Sequence, residues 1–210
     1  MIDERDASTE ARAAESSTRP PRRLSRRLFN WWSLTVAGVL LLIVGPPAIL
    51  VSWAARRRHW LYPAALWGGR NWLRLSGMKV QVKGRENLDT ARTYVFIANH
   101  RSYLDTATIF SHIGRRIGLL AKKELLRVPV LGYGMGYVNI MAIDRSNRES
   151  AIETARAAAE RLRSGVSFAV FAEGTRAGRG ELLPFKKGGF YMALEAGVAV
   201  VRWRLKTQMS

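Results

Sequence analysis

Twenty-eight consecutive residues, Leu28 to Ala55, carry no charge. That exceeds the roughly 20 residues a helix needs to cross a bilayer. Buried helices of water-soluble domains rarely run so long. Arg22, Arg23, Arg26 and Arg27 precede the run and Arg56, Arg57 and Arg58 close it. Any fold for this chain must give that stretch an apolar environment. Pro46-Pro47 lies past its middle and is expected to break or sharply bend a helix there. The flanks are basic on both sides, so charge asymmetry gives no orientation. Two arrangements stay open: a bent span, or a hairpin dipping into one leaflet with both ends cytoplasmic. Trp31, Trp32, Trp53, Trp60, Tyr62 and Trp67 bracket the run as interfacial aromatics do.

The rest of the chain is of a different kind. Residues 1–20 hold five acids and three arginines among Ala, Ser and Thr, too little apolar surface to fold alone. With the arginine cluster, residues 1–27 read as a disordered tail. Residues 28–75 read as a membrane-associated helical segment, and 76–210 as a globular domain. The whole chain of 210 residues carries 34 Lys+Arg against 16 Asp+Glu, a net +18. Such a balance points to anionic partners: nucleic acid, anionic lipid or phosphorylated substrates. No cysteine is present, which excludes thiol nucleophiles and cysteine-zinc sites together. No other metal-ligating cluster stands out. Imidazole chemistry is confined to His59, His100 and His112.

Beyond Lys79 the pattern alternates between short apolar runs and helical periodicity. Lys79–Lys83 alternates like a strand; Tyr94–Ala98, Gly118–Ala121, Asn139–Ile143, Ser167–Ala172 and Val198–Val201 read as further strands. Thr106–Ile113, Glu149–Arg163 and Gly188–Ala196 read as helices, the second with Ile152, Ala155, Ala159 and Leu162 on one face. Strands alternating with helices predict an α/β domain built on a mostly parallel sheet flanked by helices.

Four short constellations fall at predicted strand ends, where open α/β sheets carry their sites. Asn99-His100-Arg101-Ser102-Tyr103-Leu104-Asp105 joins a strand to a helix. His100 and Asp105 would diverge on a continuous helix but can meet across a turn. A carboxylate that fixes the imidazole tautomer leaves the other nitrogen free to act as a base. A helix cap by Ser102, with Asp105 three residues on, explains the same residues structurally. Glu173-Gly174-Thr175-Arg176 suits an anion, with backbone amides and a guanidinium fork, though a surface turn with a Glu–Arg pair is the simpler reading of these residues alone. Ile143-Asp144-Arg145 ends another strand, where an exposed ion pair is the simpler reading. Lys186 and Lys187 precede Gly188-Gly189 at a helix start that suits phosphate or a solvated basic face. A serine-hydrolase elbow and a Walker loop are both missing from the sequence.

Taken in order, these residues resemble the lysophosphatidic acid acyltransferase (1-acyl-glycerol-3-phosphate O-acyltransferase) family. His100 and Asp105 match its H-x-x-x-x-D block, with Asn99 before the His. Ala121 to Leu125, Pro129 and Gly132 resemble the approach to the second block, which Ile143-Asp144-Arg145 ends. Phe171 and Glu173 to Arg176 match F-P-E-G-T-R, and Pro184 to Gly188 the P-F-K-K-G run. The resemblance covers roughly Val80 to Val201. Ala172 replaces the usual proline and Ala142 a common Phe. The prolines of the fourth block are missing from Gly197–Arg204, so a truncated or frame-shifted C-terminus is expected.

The resemblance implies the glycerolipid acyltransferase fold and transfer of an acyl chain from a thioester to the sn-2 hydroxyl of lysophosphatidic acid. It implies His100 as general base, Asp105 as its orienting partner, and no covalent enzyme intermediate. Arg145, Glu173, Gly174, Thr175 and Arg176 would hold the glycerol-phosphate. Lys186 and Lys187 would contact the donor or a phosphate. No cofactor or metal is expected; acyl-CoA or acyl-carrier protein is the co-substrate. The expected partners are membrane lipids and the lysophospholipid, not nucleic acid, at the cytoplasmic membrane with the domain on its cytoplasmic side. Another acceptor such as glycerol 3-phosphate, an inactive truncated homologue, and a basic membrane-tethered binding protein remain alternatives.

Overall fold

A computed structural model describes residues 23–178, 181 and 183–205. The expected tail up to Arg22 and the last five residues of the expected C-terminal irregularity lie outside the described residues. Helix α1 (Arg23–Ala54) begins before the uncharged run, so Arg23, Arg26 and Arg27 fall in its first turns. It is 32 residues long, about 48 Å at helical rise. Of the expected break or sharp bend, the break does not occur: the helix runs unbroken through Pro46 and Pro47. The prolines remove the amides that would reach the Leu42 and Ile43 carbonyls. Packing supports the helix at this point. A Cβ on Gly45 would lie 2.2 Å from Val130 Cγ1, so glycine there lets the loop carrying Val130 press against the helix. Ala48 and Ile49 also pack on the main core.

The hairpin turn lies further on. After a short 3-10 turn (Arg58–Trp60), α2 (Leu61–Leu75) returns along α1. Ser33 and Ser76 hydroxyls hydrogen-bond at 3.0 Å, and the Trp72 indole donates to the Ser33 carbonyl at 2.8 Å. Helix α2 belongs to the globular core: Leu61 and Tyr62 are buried in it, and the Ile117 amide donates to the Tyr62 hydroxyl at 2.8 Å.

Helix α1 is inverted relative to a soluble amphipathic helix. Its buried positions include Ser33 and Ser52, while Ile43 is 67% exposed and Trp31 and Trp53 are each 71% exposed. It is long and apolar enough to cross a membrane, and its apolar surface faces outward. That fits membrane association.

The α/β expectation holds. Strands β1 (Tyr94–Ala98), β2 (Ile117–Lys122), β3 (Ile140–Ile143), β4 (Ser167–Phe171) and β5 (Ala199–Trp203) form one sheet in the order β3-β2-β4-β1-β5. Every pairing is parallel. Helix α3 (Leu104–His112) follows β1, and a short α4 (Leu131–Met135) leads toward β3. Helix α5 (Arg148–Arg163) precedes β4, and α6 (Gly188–Ala196) follows it. Asn147 caps α5 by accepting the Ser150 amide. Gly197 ends α6 at φ +68, a conformation that suits glycine. Phe96, Ile109, Ile117 and Leu119 fill the core on the α2/α3 face; Val95, Phe168, Leu162 and Met192 fill it on the α5/α6 face.

Two local expectations are corrected. Lys79–Lys83 joins no strand ladder. Its alternation is that of an extended segment laid on the α2/α3 contact, with Met78 and Val80 packed against Leu73, Leu104 and Ala107. On α5 the buried face is Ala158, Ala159 and Leu162, whereas Ile152 is exposed.

Candidate active site

The topology makes one crevice. β1 and β4 are neighbours. From β1 the chain crosses to β2 on one side; from β4 it crosses to β5 on the other. Connections leaving adjacent strands in opposite directions open a gap at their carboxyl ends, where α/β sheets bind ligands. The loops 99–103 and 172–178 meet there. Asn99 to Tyr103 form the first, which runs into Asp105 in the first turn of α3, and Glu173 to Arg176 belong to the second.

The turn between β1 and α3 brings His100 onto Asp105. His100 Nδ1 lies 3.2 Å from Asp105 Oδ2. The same oxygen accepts the Arg101 amide at 2.6 Å and the Ser102 amide at 2.7 Å. Asp105 is only 3% exposed, so its charge is held by these donors rather than by water. The catalytic and capping readings of this segment coexist: the carboxylate gathers the turn's amides and holds the imidazole. With Nδ1–H donating to the carboxylate, Nε2 is left as the basic nitrogen. The imidazole is stacked on Phe171, centroids 3.8 Å apart and planes 15° apart. That contact spans the β1–β4 gap and fixes the ring plane.

The second loop is stitched to the first. The Ala172 amide donates to the Ala98 carbonyl at 3.0 Å, and the Ala177 amide to the His100 carbonyl at 2.9 Å. A proline at 172 would have no N–H for the first bond, so alanine extends the β1–β4 ladder by one step. Gly174 sits at φ +68, and a Cβ there would meet Lys186 Cγ at 3.1 Å. The Lys186 amide donates to the Ala172 carbonyl at 2.7 Å, bringing the 184–188 run to this turn. Arg145 reaches over from the end of β3 and donates to the Gly174 carbonyl. Loss of water pulls its pKa below the usual arginine value, an effect opposed by Glu124. Asp144 beside it is paired with Lys123 and accepts the Ser146 amide and hydroxyl. Hydrogen bonds from Lys123 and Ser146 hold its carboxyl far below the usual range.

A cleft of about 1310 Å³ opens beside this assembly. Asp105, Glu173, Arg176 and Tyr103 line it, and Phe29 and Asn30 from the first turns of α1 close one side. The apolar helix thus reaches the site. The imidazole of His100 is not in the cleft wall; it lies against Phe171 beside it. Arg176 lies over the Tyr103 ring, 3.6 Å from its centroid. Glu173 is 4% exposed, and its Oε2 has no hydrogen-bond partner among the described residues. A buried acceptor of this kind calls for a donor from a ligand or solvent.

The structure therefore brings His100, Asp105, Glu173, Gly174, Arg176 and Lys186 to one crevice, with Arg145 attached through Gly174. Thr175 is exposed on the same turn. Lys187 falls outside the cleft and lines an apolar groove with Phe190, Tyr191 and Leu194. Among the described residues, no cluster of three or more metal-ligating side chains occurs. Sequence reasoning missed the Phe171 stack and the role of Asn99. The Asn99 side chain accepts the Leu205 amide at 2.9 Å and donates to the Leu205 carbonyl at 3.2 Å. It fastens the loop carrying His100 to the end of β5. Only its place beside the His pointed to it.

A family model described as Acyltransferase matches residues 79–205. The chloroplastic 1-acyl-sn-glycerol-3-phosphate acyltransferase of Arabidopsis thaliana is 32% identical over 203 residues, covering 93% of this chain and 56% of that protein. The human 1-acyl-sn-glycerol-3-phosphate acyltransferase beta is 33% identical over 136 residues, 64% of this chain and 49% of that one. The chain thus spans about half the length of these curated relatives. The crystal structure of the 1-acyl-sn-glycerophosphate acyltransferase PlsC from Thermotoga maritima superposes with a TM-score of 0.69 at 28% identity, covering 86% of this chain and 73% of that one. By sequence and by fold, the chain belongs to the acyltransferase family.

Proposed function

We propose that the protein transfers an acyl chain from a thioester, acyl-CoA or acyl-carrier protein, to the sn-2 hydroxyl of lysophosphatidic acid, giving phosphatidic acid. The observation that carries this reading is the His100–Asp105 pair, held by two backbone amides at the β1–β4 crevice. His100 Nε2 takes the proton of the acceptor hydroxyl as its oxygen attacks the thioester carbonyl carbon. Asp105 stabilises the imidazolium that results. The tetrahedral intermediate collapses with cleavage of the C–S bond, and the imidazolium returns the proton to the departing thiolate. Neither a covalent enzyme intermediate nor a metal takes part. Backbone amides of the two loops stabilise the oxyanion.

Arg145, Gly174, Thr175 and Arg176 hold the phosphate of the acceptor. Glu173 Oε2 accepts a hydroxyl of the glycerol, which explains its vacant hydrogen-bonding capacity. Lys186, at the same turn, contributes to the phosphate field; Lys187 contacts the donor. The outward apolar face of α1, ending at the cleft, supports delivery of a lipid acceptor from the bilayer, with the domain on the cytoplasmic side.

The test uses membranes containing the chain, labelled acyl-CoA, and a panel of lysophosphatidic acid, glycerol 3-phosphate and lysophosphatidylcholine. Labelled phosphatidic acid formed preferentially from lysophosphatidic acid is expected. Label passing instead to another acceptor, or only to water, would overturn the acceptor assignment.

A further inference from the structure

The cleft has a second basic wall that the acceptor phosphate leaves unused. Along β5 and its continuation the side chains alternate. Val201, Trp203 and Leu205 pack on the α2/α3-face core, whereas Arg202 and Arg204 line the cleft. Arg101 joins them from the loop that carries His100. The pairing register explains the convergence. Ile97 lies opposite Arg202 and Ala98 opposite Trp203, and Asn99 clamps Leu205. The loop holding Arg101 and the strand holding the other two are thus fastened together.

None of the three guanidinium groups has an ion pair or hydrogen bond to another described residue. The cleft's carboxylates do not neutralise them. Asp105 is committed to His100 and two amides, and Glu173 is buried in the opposite loop. An edge strand carries charge to repel other strands. That role does not account for Arg101, which lies on no strand. Three uncompensated guanidiniums on one concave wall match the forked geometry of phosphate oxygens.

We infer that Arg101, Arg202 and Arg204 form a phosphate-ester subsite, separate from the residues that hold the acceptor's phosphate at the 172–178 turn. The inference rests on the acyl-transfer reading for the source of its ligand. The phosphate ester comes from the donor, whose thioester arm ends in phosphate groups, because the acceptor's single phosphate is already held at the 172–178 turn.

Isothermal titration calorimetry tests this without requiring turnover. Coenzyme A and glycerol 3-phosphate are titrated separately into the detergent-solubilised chain. The parent is compared with Arg101→Gln, with an Arg202→Gln/Arg204→Gln double variant, and with an Arg148→Gln/Arg156→Gln double variant. The last removes the same two charges as the other double variant, but from α5, outside the cleft. Cleft variants whose Kd for coenzyme A rises at least about tenfold, with a flatter salt dependence, establish a donor subsite. The same loss confined to glycerol 3-phosphate overturns the inference, because the acceptor's own phosphate would then lie on this wall. Unchanged affinity for both ligands overturns the inference, as does a parent that binds neither or an equal loss in the α5 control. A parent that makes no phosphatidic acid yet shows the arginine-dependent binding would fail the acyl-transfer reading alone. Thermal melting of each variant checks that the exposed substitutions leave the fold intact.

Discussion

A single oxygen, Asp105 Oδ2, organises the site by drawing two backbone amides and one imidazole nitrogen to itself. Asp105→Asn puts an amide group, half donor, among three donors. The expected result is a kcat lowered by about 10²- to 10⁴-fold, with KM for lysophosphatidic acid little changed. Steady-state kinetics on the folded variant checks it. His112 offers a test without turnover. Burial, and then Arg70 and Arg85, lower its pKa from 6.5. In the folded chain it resists protonation, whereas the unfolded chain takes up a proton as pH falls through 6.5. Stability from this group is therefore full above that pH and declines as the pH drops toward the folded value. His112→Gln should shrink the fall in Tm between pH 7.5 and 5.5. An identical fall in parent and variant would remove His112 as a cause.

At the scale of elements, much was legible because periodicity and punctuation agreed. Gly188–Ala196 with Gly197 beyond it is the helix and cap that form. Tyr94–Ala98 is the strand read from its apolar run. The strand-end positions of His100, Asp105 and Glu173 were legible in the same way, since each follows such a run. Where the reading failed, a local pattern had more than one tertiary use. Lys79–Lys83 alternates because one side of an extended segment is covered, not because it has a neighbour strand. Pro46-Pro47 is a local breaker, but Gly45 accepts Val130 and Ala48 and Ile49 reach the core, so packing carries the helix through. The Asn99 clamp joins positions 106 apart, beyond any local signal. Asn99→Ala should loosen the His100 loop and lower kcat while leaving the core strands' hydrogen-exchange protection unchanged. At Gly118 a Cβ would lie 2.5 Å from the Phe168 ring and 2.7 Å from the Asn139 carbonyl oxygen. Gly118→Ala should therefore destabilise the sheet by about 1–3 kcal/mol, measured by chemical denaturation.

Across the whole molecule, the globular domain and the apolar helix form one working unit. Helix α1 hides Ser33 against α2 and presents Leu42, Ile43, Leu50 and Val51 outward, while its first turns reach the cleft. Each of those four side chains contributes roughly 1.5–3 kcal/mol when transferred from water. Replacing all four by Gln should lower recovery with floated anionic vesicles by at least about tenfold, with the domain's melting unchanged. Unaltered flotation would mean that α1 is not the membrane contact. The central claim is that His100, held by Asp105 in the β1–β4 crevice, is the base for acyl transfer. Its most direct test measures phosphatidic acid made from labelled acyl-CoA and lysophosphatidic acid by membranes holding equal amounts of the parent or His100→Ala. Product from the parent, lowered about 10²- to 10⁴-fold in a variant that melts like the parent, is the predicted result. A folded His100→Ala chain that makes phosphatidic acid at nearly the parent rate would contradict it.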